Sequence, residues 1–171
     1  MQRVLVMGCS GSGKTTFARA LAGRLALPYV SVDRLFWQPG WREPDKEAFA
    51  ARLMQAAEKP AWVMDGDFIR HAGEFRRARA QAIVWFDLPR GVCMTGVLRR
   101  IATTHGRVRP DMAPGCPERF DWDFLKYVWT YRDVMRPRLA AYCASLRADQ
   151  RLVVFKTRAQ AGAFLASAGT A

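Results

Sequence analysis

Acidic residues are scarce in this chain of 171 residues: 15 Asp and Glu stand against 27 Lys and Arg, leaving a formal net charge of +12. Cysteine is equally sparse. Cys9, Cys93, Cys116 and Cys143 form no C-x-x-C pair, so neither a disulfide framework nor a zinc site is indicated, and reduced thiols are expected. His71 and His105 are isolated and carry no metal signature. No apolar run approaches the length of a membrane span, and the N-terminus shows no cleavable succession of charged, apolar and small residues. A cytoplasmic protein is expected. There is no internal repeat, low-complexity tract or linker, so residues 1–171 read as one domain. An N-K-x-D element, which a guanine-nucleotide switch needs, does not occur, and no helix-turn-helix pattern is legible. With half of its residues hydrophobic, the chain is not disordered.

What is present begins at residue 8. Gly8-Cys9-Ser10-Gly11-Ser12-Gly13-Lys14-Thr15 is a complete G-x-x-x-x-G-K-[ST] phosphate loop. The apolar run Arg3–Met7 precedes it as a buried parallel strand should. Phe17, Leu21 and Leu25 follow at helical spacing. The glycines let successive N–H groups converge on a phosphate at the positive end of that helix. In this pattern Gly8, Ser10, Gly11, Ser12, Gly13, Lys14, Thr15 and Thr16 bind the nucleotide, Lys14 reaches its terminal phosphates and the Thr15 hydroxyl ligates Mg²⁺.

Further short apolar runs read as strands at Tyr29–Val32, Ala61–Met64, Ala82–Phe86 and Leu152–Phe155. Amphipathic stretches separate them, with Phe49 and Leu53 on one helix face and Cys93, Val97 and Ile101 on another. Alternating strand and helix predicts a parallel sheet covered on both sides. Between His105 and Arg119 the pattern breaks into glycines and prolines mixed with arginines, which predicts a phosphate-contacting loop. A helix follows from about Asp121, and Pro137 is expected to end or kink it.

Ligands of open α/β sheets gather beyond the C-terminal strand ends, where this chain places Asp33, Asp65, Asp67 and Asp87. Asp65 suits Mg²⁺ or its waters opposite Thr15. Asp33 suits a general base at an acceptor hydroxyl, with capping of the next helix as its equal alternative. Asp67 fits either task, although for Asp67 and Asp87 the cap is favoured. Trp62 and Trp85, inside strands, read as core, whereas Trp37 and Trp41 read equally as core or as a stacking wall for a planar ligand.

The phosphate loop, Asp65-Gly66 after the third strand, the arginine-bearing loop and a late arginine-rich helix together resemble the adenylate-kinase-like branch of P-loop kinases. The segments Asp33–Trp41, Trp62–Phe68 and Trp85–Arg90 are most similar to its topology modulation and adenylate-kinase-related group. The resemblance implies a three-layer P-loop NTPase fold with five parallel strands in the order 2-3-1-4-5, an acceptor-binding segment at about 34–60 and a lid at about 104–120. It implies that Arg107, Arg109 and Arg119, with Arg99 and Arg100 at the lid base, close on the donor phosphates, and that Arg132 and Arg136 grip the transferring phosphoryl group. Lys156-Thr157-Arg158 matches the adenine-packing loop in position. Where adenylate kinases carry T-G-D-x-L-R, this chain has Phe36 at the arginine position; where they carry D-G-F-P-R, it has Asp65-Gly66-Asp67-Phe68-Ile69-Arg70, with the arginine displaced by one. These departures point away from AMP and toward a neutral hydroxyl compound or nucleoside, with Asp33, Trp37, Asp67 and Arg70 as candidate acceptor contacts. The expected activity is phosphoryl transfer from ATP with Mg²⁺ to a small molecule. Its rival is a nucleotide-regulated protein that binds nucleic acid through its basic surface, for which only the charge speaks.

Overall fold

The structure, a computed structural model, describes residues 1–168. Its apolar runs form five strands, β1 (Arg3–Gly8), β2 (Tyr29–Ser31), β3 (Trp62–Asp65), β4 (Ala82–Phe86) and β5 (Arg151–Phe155). They pair in parallel in the order β2-β3-β1-β4-β5, the order the resemblance implied. Nearly every residue of the three inner strands is buried, because helices cover both faces of the sheet.

Seven helices are described: α1 (Lys14–Arg24), α2 (Val32–Phe36), α3 (Lys46–Glu58), α4 (Gly73–Arg79), α5 (Arg90–Thr104), α6 (Trp122–Ala144) and α7 (Arg158–Ser167). The two-residue period of β1 divides the core. Val4 and Val6 point to the layer of α1, α5 and α7, where Phe17 packs edge-on against Phe86 and Phe155 at 5.3 and 5.4 Å. Leu5 and Met7 point to the layer of α2, α3 and α4, with Phe49, Leu53 and Trp62. At roughly 1.5–3 kcal/mol for each large apolar side chain buried, these two layers dominate the stability of the sheet. Trp62 and Trp85 are both buried in strands, as their pattern suggested. No helix among the described residues is long and apolar enough to cross a membrane.

Two expectations need correction. Val32 is the first residue of α2 and not the last of β2, because Ser31 caps a helix there, its hydroxyl accepting from the Arg34 N–H at 3.2 Å. Pro137 lies inside α6, which runs through it. Proline removes the bond to the Asp133 carbonyl, but both residues lie on the exposed face of the helix, while Leu139 and Tyr142 bury the other face. The 105–121 segment has no helix or strand, in keeping with the expected loop, and it carries a packed cluster of its own. Met112, Ala113 and Cys116 are buried together against Trp37 and Trp41 and form a third, small core.

Candidate active site

The turn from β1 into α1 is compressed. Gly11 has φ +76°, and a Cβ on it would lie 2.1 Å from the Cys93 carbonyl oxygen, so only glycine lets α5 rest on the loop backbone. Gly96 makes the reciprocal approach, its notional Cβ falling 2.1 Å from the Gly11 carbonyl oxygen. Arg158, at the start of α7, donates from Nη2 to the Gly11 carbonyl at 2.7 Å and from Nε to the Ser12 carbonyl at 3.2 Å. Carbonyls held by a guanidinium are not aimed at phosphate oxygens. No side chain caps α1, and the amides of Lys14, Thr15 and Thr16 have no acceptor among the described residues, which leaves them as donors for an anion. The Ser12 hydroxyl is likewise buried without a partner.

These groups border a cavity of about 700 Å³, lined also by Arg19, Arg99, Arg100, Arg109, Asp111 and Arg158. A positive wall around free amides is suited to a polyphosphate. Gly8 and Ser10 lie on the loop but not on this wall.

Behind the loop, three carboxylates from the ends of β2 and β3 converge on Lys14. Burial works to lower its pKa, but Asp65, Asp33 and Asp67 outweigh that and hold it above the ordinary lysine value. Asp65 is pushed up to about 6, chiefly by burial, with Lys14 and the Thr15 hydroxyl pulling the other way. Its Oδ2 accepts from Tyr29 at 3.3 Å, while Oδ1 is buried with no partner. An unpaired carboxylate oxygen beside a threonine hydroxyl fits Mg²⁺, which takes one or two protein oxygens and keeps phosphates and waters for the rest. Among the described residues no group of three or more acids, histidines or cysteines forms a metal cage, as that mode of binding requires none.

Asp33 is half-buried in the first turn of α2. The capping role falls to Ser31, and the Asp33 carboxylate makes no hydrogen bond or ion pair among the described residues. Asp67 caps nothing: its Oδ1 accepts the Gly8 N–H at 2.7 Å and its Oδ2 the Tyr131 hydroxyl, tying the loop to α6. Burial raises its pKa despite these donors and Lys14. Asp87 is not a cap either. It takes Arg136 in a two-bond pair at 2.7 and 2.9 Å and also Lys156. Arg136 is therefore committed to a carboxylate, whereas Arg132 is exposed and has no ion pair among the described residues. Arg107 and Arg70 are exposed and lie off the cavity wall. Trp37 and Trp41 are half-buried, 5.3 Å apart edge-to-face, and pack on the Met112–Cys116 core.

Sequence spacing gave no signal for Gly96, Arg19, Asp111 or Glu118. Asp111 and Glu118, both buried, pair with the arginines of the cavity wall. The Cys9 thiol is buried against Cys93, and that contact, with burial, pushes its pKa far up.

No protein-family profile matches the chain, and no curated protein matches it in sequence. Solved structures do. The chain is similar to a shikimate kinase from Bacteroides thetaiotaomicron, at 17% identity over 96% of this chain and 94% of that one, with a TM-score of 0.57. A shikimate kinase from Acinetobacter baumannii in complex with shikimate is 15% identical over 96% and 91%, TM-score 0.56. A gluconokinase from Sinorhizobium meliloti is 18% identical over 96% and 91%, TM-score 0.54. At these identities the likeness is one of fold: this chain has the α/β architecture of the P-loop kinases, with the five-stranded parallel sheet in the order 2-3-1-4-5.

Proposed function

We propose that the chain is an ATP- and Mg²⁺-dependent phosphotransferase that moves the γ-phosphoryl group to a small hydroxyl-bearing acceptor. The observation that carries this reading is the cavity in which a phosphate loop with free amides meets Lys14 and a wall of arginines. The structural neighbours are named as kinases of shikimate and gluconate, both hydroxylated small molecules, which supports the same reading.

In this reading the amides of Lys14, Thr15 and Thr16 and the Lys14 side chain hold the phosphates, with Thr15 and Asp65 as the protein ligands of Mg²⁺. When bound there with the triphosphate, Mg²⁺ would supply charge neutralisation to the phosphates. The loop 105–121 serves as the lid, Arg100 and Arg109 as its phosphate-facing donors. Asp33, free of structural partners, orients the acceptor hydroxyl and takes its proton as the oxygen attacks phosphorus. Of the two α6 arginines that the resemblance points to, Arg132 is the one available to the transferring group, since Arg136 is held by Asp87. Segment 34–60 bounds the acceptor. Phe36 is buried there and packs at 4.8 Å on both Phe49 and Phe68. Where an adenylate kinase offers an arginine to AMP, this chain has aromatic core, which favours an uncharged acceptor.

Phosphoryl transfer depends on positioning and charge, so Lys14→Ala should abolish acceptor-dependent ADP formation from Mg·ATP in a folded protein. Asp33→Asn should suppress it while leaving ATP binding intact. The assay uses a panel of nucleosides, sugars and small hydroxy acids; undiminished turnover by folded Lys14→Ala would rule the reading out.

A further inference from the structure

The arginines of the cavity wall do not stand free. Glu118 is 4% exposed and reaches two of them at once: Oε1 lies 3.1 Å from Arg100 Nη2, and Oε2 lies 2.9 Å from Arg109 Nε. Asp111, also buried, takes Arg109 Nη1 at 2.8 Å. The main chain of Glu118 is fixed on both sides, its N–H donating to the Arg107 carbonyl at 2.9 Å and its carbonyl accepting from the Gly106 N–H at 2.8 Å. One residue therefore closes the neck of the lid with its backbone and gathers two guanidiniums with its side chain.

We infer that Glu118 is a positioning residue for the donor site, its carboxylate presenting Arg100 and Arg109 together to the polyphosphate tail of the nucleotide. This rests on the reading of the cavity as the nucleotide site. Each arginine has five N–H donors in a rigid fork. Glu118 lies against Nε of Arg109 as an ion pair, Asp111 takes Nη1 of the same group, and Glu118 takes a single nitrogen of Arg100, so Nη2 of Arg109 and further donors of Arg100 remain, and both groups line the cavity. Two guanidiniums this close repel each other. Burial lowers the pKa of Arg100 and the Arg109 charge lowers it further, with Glu118 opposing both. The Phe124 ring, 5.4 Å from the Arg100 carbon, supports that side chain from α6. Without the carboxylate, repulsion drives the pair apart and the wall loses its paired donors. Glutamine does not replace it, because its amide nitrogen would face a second donor.

The test measures binding of ATP and ADP to the whole protein by calorimetry, with thermal unfolding recorded alongside. Glu118→Gln should weaken ATP by about tenfold, the loss of one charge-assisted hydrogen-bonding arrangement, and ADP by clearly less. The ATP-to-ADP affinity ratio is the readout that a purely structural role leaves unchanged. Equal losses for both nucleotides overturn the inference, and so does ATP binding that is unchanged or tighter, which would mean that the carboxylate competes with phosphate for the arginines. Should Glu118→Gln fail to fold, Arg100→Gln, which leaves Glu118 its Arg109 partner, must show the same fall in the ratio; an unchanged ratio there overturns the inference. Absence of ATP binding by the unmodified protein instead removes the nucleotide-site reading, and the role of Glu118 with it.

Discussion

Asp65 sets the acid-base behaviour of the site. Its folded-state pKa of about 6 lies above the ordinary 3.8, so the folded protein binds this proton more tightly than the unfolded chain does. The stability it contributes is fully present below about pH 4 and is lost as pH rises through 6. In metal-free, nucleotide-free buffer, the difference between the urea stabilities of unmodified protein and Asp65→Asn should therefore shift by roughly 2 kcal/mol from pH 4 to pH 7, to the disadvantage of the unmodified protein. Parallel curves for the two proteins would show that Asp65 titrates normally. Gly96 is a second residue with a definite expectation. A methyl group there meets the Gly11 carbonyl and the Arg158 guanidinium, at 2.1 and 2.8 Å. Gly96→Ala should lower stability by about 1–3 kcal/mol and weaken nucleotide binding by shifting the loop, as read by thermal unfolding and ATP titration.

The elements carrying the site are coupled in a way their separate sequences hide. The 105–121 loop is fastened to the end of β2 and to the segment after α2. Gly40 N–H donates to the Gly115 carbonyl at 2.8 Å, Trp41 Nε1 to the Pro117 carbonyl at 3.0 Å, and the Ser31 hydroxyl to the Asp111 carbonyl at 2.6 Å. Cys116 is buried beneath the two tryptophans. The 105–121 loop and the segment around Trp37 and Trp41 thus share one small core and stay together unless that core opens. Gly115 is its weak point, with φ +74° and Pro39 only 3.0 Å from a notional Cβ. Gly115→Ala should release the loop, seen as faster amide exchange or proteolysis within residues 105–121 while the sheet stays protected. Unchanged protection of the loop would contradict the shared core.

At the scale of the molecule, the charge of +12 is not displayed as one uniform patch. Arg76, fully buried, holds the carbonyls of Gly66, Asp67 and Phe68 after β3. Arg3, Arg79, Arg147 and Arg158 hold other backbone carbonyls, and Arg100, Arg109 and Arg136 hold buried carboxylates. Much of the arginine excess is structural cement or cavity wall, a use that composition alone does not separate from a nucleic-acid surface. Local rules were enough for the strand and helix pattern, since a sheet buried on both faces needs continuous apolar strands, and for the phosphate loop, whose glycines and lysine lie within eight consecutive residues. The strand order entered through resemblance, and the pairing shows it. What spacing did not reveal depends on contacts across the chain. Pro137 sits in a helix because of what α6 buries on its far side, and Asp33, Asp67 and Asp87 look alike at strand ends yet differ in their partners. Glu118 lies among loop breakers and gains its place only when the loop folds back over Arg100. Sequence by itself determined where the phosphate-loop motif lies, because that motif is contiguous; tertiary structure alone decided which acids and arginines keep unpaired groups, because a charge is free or spent according to neighbours far away in the chain.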